Sequence, residues 1–264
     1  MDKAPMTDGA MRILILGGTG EASALARALA GRHDLSVMLS LAGRTAAPKP
    51  EPVPTRSGGF GGAEGLAQYL RTEKFDRLID ATHPFAARIS DNAARAAAMA
   101  GVPLLAIRRP AWSREPGDSW TEVESIPAAV AALGPEPRRV FLTTGRQEAG
   151  AFAAAPQHAY WARTVEPLGA TLPVPRLTAI EARGPFDAES EARLMREAGI
   201  EIVVSKNSGG AATYGKIAAA RALAIPVVMV RRPDKPDVPC VSGAAGALRW
   251  MDADIHAAST LRDV

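Results

Sequence analysis

One short stretch constrains the fold more than any other. Arg12 to Ala26 reads Arg-Ile-Leu-Ile-Leu-Gly-Gly-Thr-Gly-Glu-Ala-Ser-Ala-Leu-Ala. Ile13 to Leu16 is an unbroken aliphatic run, the pattern of a strand buried on both faces, as in a parallel sheet. Gly17, Gly18 and Gly20 follow at once, and from Glu21 the residues Ala22, Leu25, Ala26 and Leu29 recur at helical spacing. Strand, glycine turn and helix form the setting of a nucleotide-binding loop. Glycines let the backbone turn tightly and approach a pyrophosphate, and the helix N-terminus offers unpaired N–H groups and a positive dipole end. Gly18-Thr19-Gly20-Glu21-Ala22-Ser23 departs from the full dinucleotide fingerprint by placing Ser23 at the third glycine position. A small residue is tolerable there, where close packing of helix on strand is required. The same pattern also suits a plain structural turn.

Leu35 to Leu39 reads as a second strand. Where an NAD-binding protein places an acidic residue for the ribose, this chain has Ser40-Leu41-Ala42-Gly43-Arg44-Thr45. Arg44 and Thr45 suit a 2′-phosphate, which favours NADP over NAD; a solvated turn arginine is the plainer reading. Pro48 to Gly62 is too rich in Pro and Gly for regular structure. Phe60 among its glycines reads either as a loop that folds over a ligand or as a surface loop. A helix at about Ala63 to Glu73 follows. Arg77 to Ala81 is a third strand running into Thr82-His83-Pro84-Phe85-Ala86, then a helix through Ala100 that Gly101 caps. Val102 to Ile107 is a fourth strand. This β-α-β-α-β-α-β order implies a parallel sheet with right-handed crossovers, whose ligands sit at the carboxyl ends of the strands. The glycine loop, Arg44 and His83 all fall on that edge.

Arg108 to Trp120 breaks the composition and reads as a connection between domains. Beyond it, strands are expected at Arg139 to Leu142, Ala159 to Thr164, Thr178 to Ala182, Glu201 to Val204 and Pro226 to Val230. Helices are expected at Asp187 to Ala198, after Gly210 to about Leu223, and at Gly243 to Met251. The expected architecture is α/β: two Rossmann-like domains with mostly parallel sheets and an inter-domain cleft. Residues 11–112 form a nucleotide-binding domain and 113–251 a second domain on the substrate side, with 1–10 and 252–264 as flexible tails; an edge strand or the tail could pair with the other sheet, which leaves the boundary and any strand exchange open.

The chain has 264 residues, room for one large or two ordinary domains. Its net charge of +3 comes from scattered arginines without a lysine run. That balance suits nucleic acid and an anionic small molecule equally well, but no nucleic-acid motif is present, so an anionic small molecule is the expected partner. No run of about 18 apolar residues exists, so no membrane span is expected. One cysteine, Cys240, excludes an intramolecular disulfide and a multi-cysteine metal site, and no metal-ligand spacing joins the four histidines. No signal-peptide core is present, so a cytoplasmic location is expected.

Three further blocks carry chemistry at strand ends. Thr144-Gly145-Arg146 offers a hydroxyl, a close-approach backbone and a guanidinium, a clamp for carboxylates. Ser205-Lys206-Asn207-Ser208-Gly209-Gly210 offers a cation, an amide and hydroxyls before a helix that carries Lys216, donors suited to an anion. His83, three residues after Asp80, either positions a ligand, relays a proton or simply packs.

Together, Gly17 to Ala22, Thr82 to Ala86 after Ala81, Thr144 to Arg146, Ser205 to Gly210, Lys216-Ile217 and Ile225 to Val228 resemble the precorrin-6A reductases of corrin biosynthesis. The resemblance covers Met11 to about Met251. It implies a two-domain reductase that uses NADPH to reduce one double bond of an anionic tetrapyrrole, with or without cobalt. It implies a cofactor loop at Gly17, Gly18, Thr19, Gly20, Glu21 and Ala22, with Arg44 and Thr45 near the adenosine phosphate and Thr82 and His83 near the nicotinamide. It implies substrate contacts from Thr144, Gly145, Arg146, Ser205, Lys206, Asn207, Ser208, Gly209 and Lys216; the added proton has three possible sources, His83, Lys206 and solvent. Rival readings are an NADP-sensing protein without catalysis and a nicotinamide oxidoreductase of small substrates.

Overall fold

The computed structural model describes residues 10–43 and 49–260. Arg44 and Thr45 lie outside the described residues, as do 1–9 and 261–264 of the expected tails. The chain divides into two compact units. One takes the chain up to Arg109 and again from Asp234; the other is Pro110–Pro233.

The first unit begins with β1 (Met11–Leu16), α1 (Gly20–Leu29), β2 (Leu35–Leu41), β3 (Thr55–Ser57), α2 (Ala63–Thr72), β4 (Arg77–Asp80), α3 (Ala87–Ala100) and β5 (Leu104–Ile107). The aliphatic run of β1 splits by alternation. Ile13 and Ile15 enter one core with Ala22, Leu25, Ala26 and Leu29 of α1. Leu14 and Leu16 enter another with Leu66, Ala67 and Leu70 of α2 and Ala93, Ala96 and Ala97 of α3. Both faces of the strand are thus covered by helices, which is why the run contains no polar residue. Gly101 takes the left-handed conformation that closes α3, at φ 68°.

β3 overturns one expectation. The Pro- and Gly-rich stretch does pair with β2, as Leu39↔Thr55, Ser40↔Arg56 and Leu41↔Ser57. The strand is short and at the sheet edge, where flanking prolines are tolerated. Phe60 also sits on the structure: its ring lies 5.2 Å from Tyr69 of α2. Gly65 lets the Phe60 carbonyl approach α2, since a Cβ there would lie 1.7 Å from that oxygen.

The second unit contains β6 (Trp120–Val123), α4 (Ile126–Ala132), β7 (Arg139–Leu142), α5 (Arg146–Ala149), β8 (Ala159–Thr164), β9 (Leu177–Glu181), α6 (Ala188–Glu197), β10 (Ile202–Lys206), α7 (Gly215–Ala222) and β11 (Val227–Val230). Its sheet has the order β6-β11-β10-β7-β8-β9, and each pairing is parallel.

The chain then returns. β12 (Cys240–Val241) pairs parallel with β5, and α8 (Ala244–Thr260) buries Ala247 and Met251 in the same core as α1. The first sheet therefore reads β12-β5-β4-β1-β2-β3. Residues 234–251 belong with the first unit instead of the second, and α8 continues past Met251. The cause is local: Cys240 and Val241 extend the open edge of β5, and α8 covers apolar surface that α1 leaves beside it.

Candidate active site

The order β5-β4-β1-β2-β3 reverses direction between β1 and β4, and a ligand of such a sheet binds at the carboxyl end of that switch. The glycine loop stands there. Gly17 donates its N–H to Ser40 O at 2.9 Å. A Cβ on Gly17 would lie 2.6 Å from Leu39 Cδ1 and 3.2 Å from Ala22 Cβ. Gly17 thus performs the close helix–strand packing that the fingerprint reading assigned to the third position. Ser23, at that position, instead donates its hydroxyl to the Glu51 carboxylate.

Thr19 caps α1, accepting the Ala22 N–H at 3.2 Å and donating to Ala81 O at 2.7 Å, across to the end of β4. Glu21 pairs with Arg109 at 2.7 Å. Burial alone would raise the Glu21 carboxyl, but the Arg109 hydrogen bond and charge hold it below its usual value. Gly18, at φ 103°, and Gly20 have nothing within 4 Å of where a Cβ would stand. The loop therefore presents bare main chain to open space at the N-terminus of α1. That is the shape a dinucleotide pyrophosphate requires, and Gly17 to Ala22 fit one.

The end of β4 is built around Asp80, which is buried. Its carboxylate accepts from Thr82 N–H at 3.1 Å, Thr82 Oγ1 at 2.6 Å and Ser90 Oγ at 2.5 Å. The Asp80–His83 spacing thus serves the turn, and Thr82 spends its hydroxyl inside it. His83 is half-buried, and its Nδ1 accepts the Phe85 N–H at 3.2 Å. A neutral ring held this way carries its proton on Nε2. Lys235, which no sequence motif singled out, donates to His83 O at 3.1 Å.

On the second sheet, the carboxyl ends of β7 and β10 are neighbours. Thr144 is buried, with no hydrogen-bond partner for Oγ1 among the described residues. Gly145, at φ 94°, opens the short α5, and Arg146 is exposed. Lys206 pairs with Glu148 at 2.9 Å. Glu148 was missed, because sequence shows a charge two residues past Arg146 but not which way it turns.

The rest of the second block folds inward. Ser205 is fully buried. Asn207 accepts from Trp112 N–H at 2.8 Å and donates to Trp112 O at 2.9 Å, so its amide fastens the start of the unit. Arg232 donates to Asn207 O, Ser208 O and Pro110 O. Gly209 allows that convergence, since a Cβ would lie 2.1 Å from Pro110 O. Lys216 is buried beneath the Trp112 ring, with Nζ donating to Thr213 O at 2.8 Å. Desolvation, then the nearby Arg163 charge, lowers its pKa to about 7. Ser205, Asn207 and Lys216 thus have structural tasks, and the reachable groups of this edge are Gly145, Arg146, Glu148 and Lys206.

A groove of 1020 Å³ opens at the opposite, amino edge of this sheet, lined by Arg139, Trp161, Leu177 and Arg193 among others. None of the predicted residues reaches it. Among the described residues no cluster of His, Cys, Asp and Glu could hold a metal, and no helix is long and apolar enough to cross a membrane.

Residues 12–252 match the family model described as Precorrin-6x reductase CbiJ/CobK. A precorrin-6A reductase of Sinorhizobium sp is 57% identical over 237 residues, covering 90% of this chain and 91% of the relative. One from Rhodobacter capsulatus is 47% identical, covering 91% and 95%. A solved structure described as CobK precorrin-6A reductase matches with a TM-score of 0.86 at 46% identity, covering 92% of this chain and 96% of that one. The chain belongs to the precorrin-6x reductase CbiJ/CobK family and is an oxidoreductase.

Proposed function

We propose that this protein reduces one double bond of precorrin-6A with NADPH, giving precorrin-6B, in cobalamin biosynthesis. The observation that carries the cofactor half is the bare cradle at Gly18 and Gly20, set at the sheet's switch point and at the N-terminus of α1. The family membership carries the substrate half.

When bound, NADPH supplies the hydride, and a proton must come from elsewhere to complete the saturated bond. Gly18, Thr19, Gly20 and Glu21 would hold the pyrophosphate through main-chain N–H groups, with Gly17 and Ala22 shaping the turn beneath them. Thr82 and His83, fixed by Asp80 and Lys235, would border the nicotinamide end. Lys206, paired with Glu148 at 2.9 Å, would give the proton. Arg146 and Lys206 would also meet the acetate and propionate carboxylates of an anionic tetrapyrrole, with Thr144, Gly145, Ser208 and Gly209 shaping the main chain around them.

The test is to mix the purified protein with precorrin-6A and NADPH and follow loss of the reduced-nicotinamide absorbance together with the mass of the product. Oxidation of the cofactor with a gain of two hydrogens in the product is expected. Absence of turnover with either reduced nicotinamide would refute the reading.

A further inference from the structure

The edge strand β3 brings a guanidinium, that of Arg56, to the carboxyl end of β2. The register of β3 on β2 sets Arg56 opposite Ser40. Arg56 Nη1 donates to Ser40 Oγ at 2.8 Å and to Gly58 O at 3.0 Å, and Nη2 donates to Gly59 O at 3.3 Å. The Phe60 ring lies 4.0 Å from its Cζ and the Tyr69 ring 5.4 Å. Its partners are thus carbonyls, a hydroxyl and rings; among the described residues no carboxylate neutralises it. Three of its five N–H groups are spent on these contacts. The two that remain, on Nε and Nη2, are what a bidentate hold on a phosphate needs.

The location gives this cation a meaning. In a sheet of this kind the carboxyl end of the second strand reads the adenosine ribose: an acidic residue takes a free 2′-hydroxyl, and an arginine takes a 2′-phosphate. Ser40-Leu41-Ala42-Gly43 contains no acidic residue. A planar fork already fixed by Ser40, two carbonyls and a stacked ring loses little freedom on gripping an anion. Phe60 and its glycines, which sequence left between a ligand loop and a surface loop, serve to hold that fork in place.

We propose that Arg56 binds the 2′-phosphate of NADPH and sets the preference of this enzyme for NADPH over NADH. The proposal rests on the reading of the protein as an NADPH-dependent reductase. Titration calorimetry of the wild type, Arg56→Gln and Arg56→Lys with NADPH, NADH, 2′,5′-ADP and 5′-AMP tests it without turnover. The wild type should bind NADPH and 2′,5′-ADP more tightly than NADH and 5′-AMP. Arg56→Gln should lose roughly 10- to 100-fold for the two phosphorylated ligands, the range of a charge-assisted pair. It should bind NADH and 5′-AMP within about threefold of wild type, which also shows that the fold is intact. Arg56→Lys, which keeps the charge without the fork, should fall between and carries the test if Arg56→Gln does not fold. A wild type that does not discriminate overturns the NADPH reading and this inference with it. A variant that keeps full discrimination, or that weakens all four ligands equally, overturns the role of Arg56 alone.

Discussion

At the carboxyl edge of the first sheet, polar side chains shape the main chain, whether they reach it directly or through one another. Thr19 ties α1 to β4, Asp80 gathers the Thr82 turn and Ser90, and Arg56 holds the Gly58 and Gly59 carbonyls. At the edge of the second sheet, a side chain is tied to a side chain, as Lys206 to Glu148, while Arg146 stands exposed. The topology is shared and the use of it differs. The first edge shapes bare backbone around a group of fixed form, such as a pyrophosphate. The second holds charges that can exchange one partner for another, which suits a ligand that brings its own carboxylates.

The comparison breaks most visibly at Lys206. Lys206→Ala should lower kcat by roughly 10²- to 10⁴-fold, the contribution of a placed general acid, while the Kd of NADPH stays at the wild-type value. His83→Ala should show the reverse split, with weaker nicotinamide binding and a smaller fall in kcat. Turnover unaffected in Lys206→Ala would sink the proton-donor assignment, and stopped-flow kinetics read both variants directly.

Glu191→Ala probes the interior of the second unit. Arg163 and Glu191 form a buried bidentate pair, with side chains only 7% and 3% exposed. Removing one partner strands a buried charge, at a cost of about 3–5 kcal/mol. Trp112, Trp120 and Trp161 lie in this unit, so denaturant unfolding followed by tryptophan fluorescence should report the loss. A midpoint unmoved from wild type would show that the pair does not hold the unit together.

The first edge was largely legible in the sequence because its determinants are local. A glycine's missing side chain and a helix cap act within a few residues, so Gly17 to Ala22 and the Thr82 turn could be read where they stand. Arg56 and Lys235 were not legible, because each acts through a partner supplied by strand register or by the returning chain: Ser40 is opposite Arg56 only once β3 pairs with β2. The same holds on the second edge. Lys206, Asn207 and Lys216 look alike in sequence, as polar residues after a strand. Only packing makes the first reachable, the second a clasp on Trp112 and the third buried. The return of β12 and α8 to the first sheet stayed open in the sequence for a related reason: the final helix was legible, but two residues of edge strand carry almost no pattern.

Lys216 gives that distinction a pH signature. Its pKa in the folded protein is about 7 against an ordinary 10.5, set by desolvation and Arg163 and opposed by Glu191. Between those two values the unfolded chain holds a proton that the folded chain does not. Stability should therefore rise with pH across that window, by at most about 1.4 kcal/mol per unit. Lys216→Met, of similar volume, should abolish this rise, so the stability gap between variant and wild type narrows by about 2 kcal/mol from pH 7 to pH 9. Denaturant melts at both pH values measure it; parallel curves would mean that the amine remains charged and solvated.

Glu148→Gln should produce the smallest change in stability and a diagnostic one in kinetics. The Lys206–Glu148 pair is partly open to solvent, with side chains 14% and 30% exposed, so its loss should cost no more than about 1 kcal/mol. If the pair merely fastens α5 to β10, activity should fall in step with any loosening and binding of the substrate should weaken. If Glu148 holds the place that a substrate carboxylate takes, removing its charge leaves Lys206 a stronger anion receiver. KM for the tetrapyrrole should then drop severalfold, as the substrate no longer competes with a resident carboxylate. At the same time kcat should decline, because the carboxylate that positions the amine is gone. A lower KM with a lower kcat separates an exchangeable partner from a fixed strut, and a raised KM would leave the second edge no different in kind from the first.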